Sequence, residues 1–213
     1  MTSSPVGSCV LAALVLTACG SETPVGTGAP AGAYDGPMHL AVDHGDRATV
    51  LERSGAAGRA LECRFEPYDG GSGDYTDGLE TVQDDAGKAL MDWLTEEFVL
   101  LPGDGYRVER EDDGRVLLSY DVDGRTKIAV IVADDVRDWD GHEGWGVETW
   151  AQCDPAELPA PATDALGIGV WHTAGGDPVP VTTIRSAAGP EHCDWQDITF
   201  PVSYTHLTLP TKA

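Results

Sequence analysis

The chain has 213 residues and a mass of 22.5 kDa, a length that suits one domain with or without tails. Hydrophobic residues make up 41% of the sequence, which is enough to build a core and excludes a wholly disordered chain. The 36 acidic and 13 basic residues give a net charge of -23, which argues against nucleic-acid binding because phosphate contacts require a basic face.

The N-terminal segment carries the most specific motif. An apolar run at residues 10–18 is too short to span a bilayer, and the chain there reads LTAC, with Cys19 last. An aliphatic residue, two small residues and Cys in this order resemble the lipobox of bacterial lipoproteins. The resemblance implies that residues 1–18 are a signal peptide that is removed, and that the Cys19 thiol carries a diacylglyceryl group. Two acyl chains anchor a protein stably, whereas one chain is marginal.

The segments on either side of this motif also bear on the lipoprotein interpretation. Residues 1–8 contain no Lys or Arg, whereas export signals begin with a positive region, so a start codon upstream of Met1 would account for the difference. An ordinary cleaved signal peptide is the alternative, although residues 16–18 lack the A-x-A form. Residues 19–36 are rich in Gly, Pro and Ala, which predicts a flexible tether. We therefore expect a lipid anchor on the extracytoplasmic face of the cell membrane.

Residues 37–200 are expected to form a single α+β domain, with an antiparallel sheet built as a meander plus a hairpin. Residues 106–110, 115–120 and 127–133 are β-rich runs separated by Asp-Gly turns, the strongest short signal for a hairpin. Residues 127–133 are nearly all apolar. They therefore predict the central strand, covered on both faces.

Further strands are predicted towards the C-terminus. Residues 146–153 alternate apolar and polar side chains. Residues 169–173 and 179–185 flank a Gly-Gly-Asp-Pro turn, which predicts a second hairpin. Residues 193–200 predict the last strand. By contrast, residues 69–78 read as an acidic, glycine-rich loop.

One helix is predicted with a clear apolar face, and a second with less support. The first covers residues 85–98, with Asp84 or Asp85 as its N-cap. Its apolar side chains recur at helical spacing. They are Leu90, Trp93, Leu94 and Phe98. The weaker helix covers residues 47–60, where two glycines oppose a regular helix.

The cysteines indicate a disulfide. Cys9 would be lost with the signal peptide and Cys19 would carry lipid, which leaves Cys63, Cys153 and Cys193 as disulfide candidates. An exported domain favours disulfides over free thiols. We expect one pair, Cys63–Cys153, with Cys153–Cys193 as the alternative. The odd cysteine would then need a partner outside the sequence.

Catalytic and metal-binding readings of these residues have little support. A Cys–His nucleophile at Cys193 and His192 is disfavoured, because neighbours in a strand point to opposite faces. The histidines of the body do not form a zinc-ligand spacing. They are His39, His44, His142, His172 and His192. Residues 121–124 begin like a calcium loop but lack its terminal Glu, which favours a hairpin turn; the loop at residues 69–78 could hold calcium only weakly. No metal and no cofactor are expected.

Tryptophans and acids lie close together in residues 138–150. The tryptophans are Trp139, Trp145 and Trp150, and the polar residues beside them are Asp138, Asp140, His142 and Glu143. Aromatic rings beside carboxylates could bind a sugar, and two acids could cleave one. The alternative is that Trp145 and Trp150 pack in the core next to an acidic loop.

Two further resemblances concern the body and the C-terminus. The segments YRVERE, RVLLSYDVDGRTKIAVIV, CDPAELP and EHCDWQ resemble uncharacterised secreted proteins of actinobacteria over most of residues 34–200, which implies no known activity. Residues 202–211 read VSYTHLTLPT and resemble the translation of a transposase sequencing adapter. We therefore expect residues 201–213 to be a non-native tail on a domain truncated near residue 200. The alternative is a genuine strand, since VSYTHLTL alternates.

Two functions follow as hypotheses. The first is a binding or interaction module at the membrane or wall, whose partner is an envelope protein or a wall ligand. The second is a carboxylate-dependent hydrolase, for example of wall polysaccharide, using acids in residues 138–148. A clustered, partly buried pair of acids in a cleft would favour the hydrolase, and scattered, exposed acids would favour the binding module. No catalytic residue is assigned, because no serine motif, phosphate loop or dinucleotide fingerprint is present.

Overall fold

A five-stranded antiparallel sheet forms the centre of the protein. The computed structural model describes residues 32–73, 79, 81–95, 100–187 and 198–201. The strands of the sheet are β1 (Asp69–Ser72), β2 (Tyr106–Asp112), β3 (Arg115–Val122), β4 (Arg125–Arg137) and β5 (Glu143–Gln152). Their spatial order is β1-β5-β4-β3-β2, so the last four strands form a meander. Together with short helices on both faces, this is the α+β fold that the sequence predicts.

Tight turns set the register of the meander. Asp113 and Gly114 join β2 to β3 with φ of 49° and 72°, and Asp123 and Gly124 join β3 to β4 with φ of 52° and 71°. Positive φ at both central residues matches the twist of the flanking strands in two-residue hairpins. The predicted pairing of these strands is confirmed, and the chain at residues 121–124 is a hairpin turn.

Strand β4 is buried on both faces, as predicted. Ile128, Val130 and Val132 point to one face, where they join an apolar cluster with residues of β3 and β5. Ala129 and Ile131 point to the other face and join a second cluster. All five side chains are 0% exposed. The sheet therefore needs a cover on each side.

Helix α3 (Ala86–Trp93) covers the first face. Asp85 is its N-cap, because the Asp85 carboxylate accepts a hydrogen bond of 2.8 Å from the Lys88 backbone N–H. Leu90 is buried in the first cluster, and Trp93 and Leu94 pack against it. The helix is shorter than the predicted 85–98 because Leu94 caps its C-terminus. Residues 96–99, Phe98 included, lie outside the described residues.

Two short helices lie where one longer helix was predicted, and the second of them covers the second face. They are α1 (Val50–Arg53) and α2 (Gly55–Ala60). The break falls at Gly55, whose φ of 50° a helix interior does not allow. At Gly70 of β1, a Cβ would lie 2.3 Å from the Ser54 Oγ atom and 2.7 Å from the Trp150 carbonyl oxygen. The helices therefore approach the sheet closely because small residues line the contact.

The N-terminal part of the described chain also lies on this second face. The Tyr34 backbone N–H donates a 2.6 Å hydrogen bond to the Glu109 carboxylate, and the Arg110 guanidinium donates a 2.8 Å bond to the Gly36 carbonyl. Met38 is buried in the second cluster. The chain is therefore held against the sheet from Tyr34 onwards. Among the described residues, no helix combines the length and hydrophobicity that crossing a membrane requires.

Two sequence predictions are wrong in detail. Residues 69–72, predicted as part of a loop, form the edge strand β1 against β5. The hairpin predicted from residues 169–173 and 179–185 is reduced to one bridge between His172 and Pro178. Proline lacks the N–H that would extend this ladder.

The C-terminal strands pair with each other in a separate sheet. Strand β6 (Ile184–Ala187) pairs antiparallel with β7 (Ile198–Pro201), so the predicted strand at residues 193–200 is described only at its end. The remaining predictions for this region, Cys193 and the tail at residues 201–213 apart from Pro201 itself, lie outside the described residues.

A disulfide joins Cys63 to Cys153, the pairing favoured by the sequence. The bridge ties the end of β5 to the segment that follows α2, and 90 residues separate the two cysteines. The closed loop contains the whole meander. Its main effect is to restrict the unfolded chain.

We predict that the double variant Cys63→Ser/Cys153→Ser lowers the free energy of unfolding by about 4–5 kcal/mol, the chain-entropy value for a loop of this length. Urea unfolding of the variant and of the oxidised wild type measures this difference. Wild type in excess reductant serves as the control and should reach the variant's stability. A loss below about 1 kcal/mol would contradict the role of the bridge.

Candidate functional site

An apolar groove of about 550 Å³ opens at one end of the sheet. Its walls are the loop before β2, the end of β3 with the β3–β4 turn, and helix α4 (Ala160–Ala165). The apolar lining residues are Leu101, Pro102, Tyr120, Val122, Pro159, Pro161, Ala162, Ala165 and Leu166. Three acidic residues, Asp104, Asp121 and Asp123, also line it. The groove therefore combines an apolar interior with acidic groups.

The inner wall of the groove is fixed by the core. Tyr120 is 6% exposed, and its ring meets the ring of Tyr106 edge-on with centroids 5.8 Å apart. Burial, and next the nearby carboxylate of Asp104, raise the pKa of Tyr120 above its usual value. Tyr120 is therefore a neutral phenol at physiological pH. It can pack against an apolar ligand and donate a hydrogen bond.

The outer wall is positioned by prolines and by a buried carboxylate. Pro159 precedes α4, and Pro161 lies in its first turn, where no backbone donor is required. Just before this wall, the fully buried Asp154 carboxylate accepts hydrogen bonds of 2.9 Å from the backbone N–H groups of Ala156 and Val181. Thr182 donates two more, at 3.2 and 3.1 Å. This carboxylate is satisfied without a cation and links two loops beneath the groove.

The three carboxylates differ in their partners. The Asp121 carboxylate accepts a 2.6 Å hydrogen bond from the Arg107 guanidinium, which also pairs with the Glu109 carboxylate at 3.4 Å. Asp104 and Asp123 form no ion pair with any residue that the structure describes, and both are exposed. Asp123 is held at the mouth by the β3–β4 turn. Two uncompensated negative charges therefore lie at the rim of an apolar groove.

The acids of the hydrolase hypothesis lie elsewhere: Asp138, Glu143 and Glu148 are separately paired, and Asp140 is exposed and forms no ion pair with any described residue. Asp138 accepts from the His142 backbone N–H at 2.8 Å and contacts the His142 ring at 2.9 Å. Glu143 pairs with the Arg137 guanidinium. Glu148 binds the Arg115 guanidinium through hydrogen bonds of 2.7 and 3.0 Å and also contacts His39. None of these acids lines the groove.

The tryptophans of the same segment do not form one surface. Trp145 and Trp150 pack against the first apolar cluster, and the rings of Trp150 and Trp93 have centroids 5.6 Å apart. Trp139 is 66% exposed at the turn between β4 and β5. The core-packing interpretation therefore holds for Trp145 and Trp150. Their packing contributes to stability.

One group of potential metal ligands occurs among the described residues. The ligand atoms of Cys63, Cys153 and Glu157 lie within 4.8 Å of one another. Both sulfur atoms are bonded to each other in the disulfide, so neither is available as the thiolate that binds metals. Cys63 and Cys153 therefore form a disulfide and are not metal ligands. Cys19 and Cys193 lie outside the described residues.

Sequence reasoning did not identify the groove. Its walls come from three segments that are distant in the chain, and each wall residue is ordinary in type. The prolines at positions 102, 159 and 161 were the available signal, since they mark rigid loops, but they do not indicate that the loops face each other.

The chain was also compared with known proteins. Protein-family models, curated proteins and solved structures gave no match. The functional argument therefore depends on the fold and on the groove.

We predict that the pKa of His142 lies above the usual histidine value, because the Asp138 carboxylate accepts its hydrogen bond and attracts its positive charge. A raised pKa means that this pair stabilises the fold at acidic pH, and that the contribution is lost as pH rises through the folded pKa. An NMR titration should show a lower midpoint in Asp138→Asn than in wild type. Asp140→Asn is the control and should shift the midpoint less. Equal midpoints in wild type and Asp138→Asn would contradict the pairing.

Proposed function

We propose that the protein is a lipid-anchored binding module on the extracytoplasmic face of the cell membrane, and that its groove holds an apolar ligand group bearing a positive charge. The anchor is the lipobox cysteine, Cys19. The ligand belongs to an envelope protein or a wall component. The observation that carries the proposal is the apolar groove with two uncompensated carboxylates at its rim.

The size and lining of the groove support ligand binding. A volume of about 550 Å³ falls within the range of small-ligand sites, about 300–1,000 Å³. The apolar walls supply burial energy, and the few polar groups fix orientation. Most of the groove is formed by the sheet core and by proline-containing segments. It is therefore preformed, which lowers the entropy cost of binding.

The charge of the rim supports a cationic ligand. Asp104 and Asp123 have no cationic partner among the described residues. The chain as a whole carries a net charge of -23, which attracts basic partners and repels anionic lipids and wall polymers. A positive group entering the groove would meet these two carboxylates first. Complementary charge of this kind mainly selects partners and speeds association.

The hydrolase alternative has less support. Glycoside cleavage requires two carboxylates that face one substrate, separated by about 5–9.5 Å. Asp138, Glu143 and Glu148 are each engaged by a different basic residue. This pairing stabilises the turn and strands around them. It favours the binding module over a carboxylate-dependent enzyme.

We predict that Cys19→Ala releases the protein from membranes into the medium, because the acyl chains can no longer be attached. Fractionation of cells followed by immunoblotting measures the distribution. Cys9→Ala removes the other cysteine of the same segment and should leave the protein on the membrane. Wild type that is wholly soluble and unacylated by mass spectrometry would contradict the anchor.

A second prediction concerns the groove itself. Three probes share an aromatic ring but differ in charge: phenethylamine is cationic, 3-phenylpropanol is neutral and 3-phenylpropanoate is anionic. NMR titration of the full chain should show shifts at Tyr120, Ala162 and Leu166, with the amine bound most tightly. The double variant Asp104→Asn/Asp123→Asn should weaken binding of the amine by roughly two- to fivefold, the range for exposed charge pairs, without changing binding of the alcohol.

A variant of helix α4 tests the location. Ala165→Arg places a long cationic side chain in the groove and should abolish binding of all three probes. Asp164→Ala changes the net charge by the same amount on the same helix, but Asp164 does not line the groove, so binding should persist. Shifts that survive Ala165→Arg, or equal affinities for amine and carboxylate, would contradict the proposed function.

A further inference from the structure

A second cavity lies on the other side of the β3–β4 turn. Its volume is about 460 Å³, and it adjoins the groove, since Val122 and Asp123 line both. Its remaining lining differs in character. Three basic residues, Arg64, Arg125 and Lys127, line it. This is an unusual concentration in a chain with 13 basic and 36 acidic residues.

Lys127 provides a rigid cationic group in this cavity. Its side chain is 7% exposed, and its ammonium donates hydrogen bonds of 2.7 Å to the Glu62 carbonyl and to the Glu157 carboxylate. The same carboxylate accepts from the backbone N–H groups of Arg64 and Phe65 at 2.7 and 2.9 Å. A lysine ammonium has three donors, and no described group accepts the third.

The two arginines are not neutralised. Arg64 and Arg125 form no ion pair with any side chain that the structure describes, whereas Arg107, Arg115 and Arg137 all do. The Arg64 guanidinium lies over the ring of Phe65, 5.1 Å from its centroid, which orients it at the cavity wall. Within the part of the chain that the structure describes, neither guanidinium donates a hydrogen bond, which leaves their donors available to a ligand.

The residues that line the cavity carry a net charge of +1, and the nearby Glu62 carboxylate, which does not line it, accepts a hydrogen bond from the Thr126 backbone N–H. Glu157 pairs with Lys127, and Asp123 forms an ion pair with neither Arg64 nor Arg125. The negative charge of the rest of the chain is screened over about 8 Å at physiological ionic strength, and a cavity site responds mainly to its own lining. Arginine presents a planar fork of donors that matches oxoanions, and a phosphate offers oxygens to several donors at once.

We propose that this cavity is a phosphate-binding site, with Arg64 and Arg125 as the recognising side chains and the spare donor of Lys127 as a third contact. The ligand is a small molecule or a soluble group that carries a phosphate. The site is distinct from the groove, and its existence does not require the proposed function of the groove. A cationic group in the groove and a phosphate in the cavity would both lie next to Asp123. The two groups could belong to one ligand or to two.

The test uses inorganic phosphate as the probe and the full chain carrying Cys19→Ala, purified with the Cys63–Cys153 bridge intact, so that acylation does not contribute. Isothermal titration calorimetry of this protein should show saturable binding that weakens with added salt. The further change Arg64→Gln/Arg125→Gln should weaken binding by roughly tenfold or more, since it removes two charge-assisted contacts. Both arginines are exposed, so the fold should be unaffected.

Controls separate this site from general attraction of anions. Arg59 also lacks an ion pair among the described residues but lies on α2, and Arg59→Gln should bind phosphate as the parent does. The proposal would be overturned if phosphate did not bind. It would also be overturned if Arg59→Gln weakened binding as much as Arg64→Gln/Arg125→Gln does. A third contrary result is that the protein binds phosphatidylglycerol vesicles through these arginines but does not bind inorganic phosphate. That result would indicate a membrane-contact surface. Binding of phenethylamine should remain in the Arg64/Arg125 variant, so the two proposals fail independently.

Discussion

The burial of β4 on both faces is the constraint on which the rest of the structure depends. An apolar strand in the middle of a sheet gains free energy only if both of its faces are removed from water. Residues 128–132 send side chains alternately to the two faces, and each is 0% exposed. The chain must therefore supply two covers of different shape, one for Ile128, Val130 and Val132 and one for Ala129 and Ile131.

The two covers differ in the size of the side chains that they place against the sheet. Large side chains dominate the first face, where α3 packs Leu90 and Trp93 over branched residues of the strands. Small residues dominate the second face, where α2 contributes alanines and glycines and lies close to the sheet. The chain from Tyr34 completes this second cover, and Glu109 holds it by a hydrogen bond to the backbone.

The candidate sites lie at the end of the sheet because that is where this packing stops. The β3–β4 turn projects beyond both covers, and loops from other parts of the chain meet it there. On one side, α4 and the loop before β2 leave the apolar groove. On the other side, the disulfide and the Lys127–Glu157 ion pair fix the segment around Arg64 next to Arg125. A rigid sheet with loops gathered at its edge is a common arrangement for binding.

The features that were predicted correctly from the sequence are those that depend on a local pattern of residues. The central strand followed from an unbroken apolar run, the turns from Asp-Gly, and the start of α3 from an N-cap at Asp85. It missed β1, because Asp69–Ser72 has neither alternation nor β-branched residues, and its pairing depends on the space that Gly70 leaves for Ser54. It overestimated the second hairpin, because the prolines that interrupt the ladder also resemble turn signals. The groove and the cavity depend on distant segments, so no local pattern could predict them.

Native-state hydrogen exchange of the backbone amides tests the central role of β4 most directly. The account predicts that the amides of residues 128–132 exchange most slowly in the protein, at the free energy of global unfolding, while amides of the edge strand β2 exchange through smaller openings. Exchange of residues 128–132 at the rate of β2, with a free energy well below that of global unfolding, would contradict it.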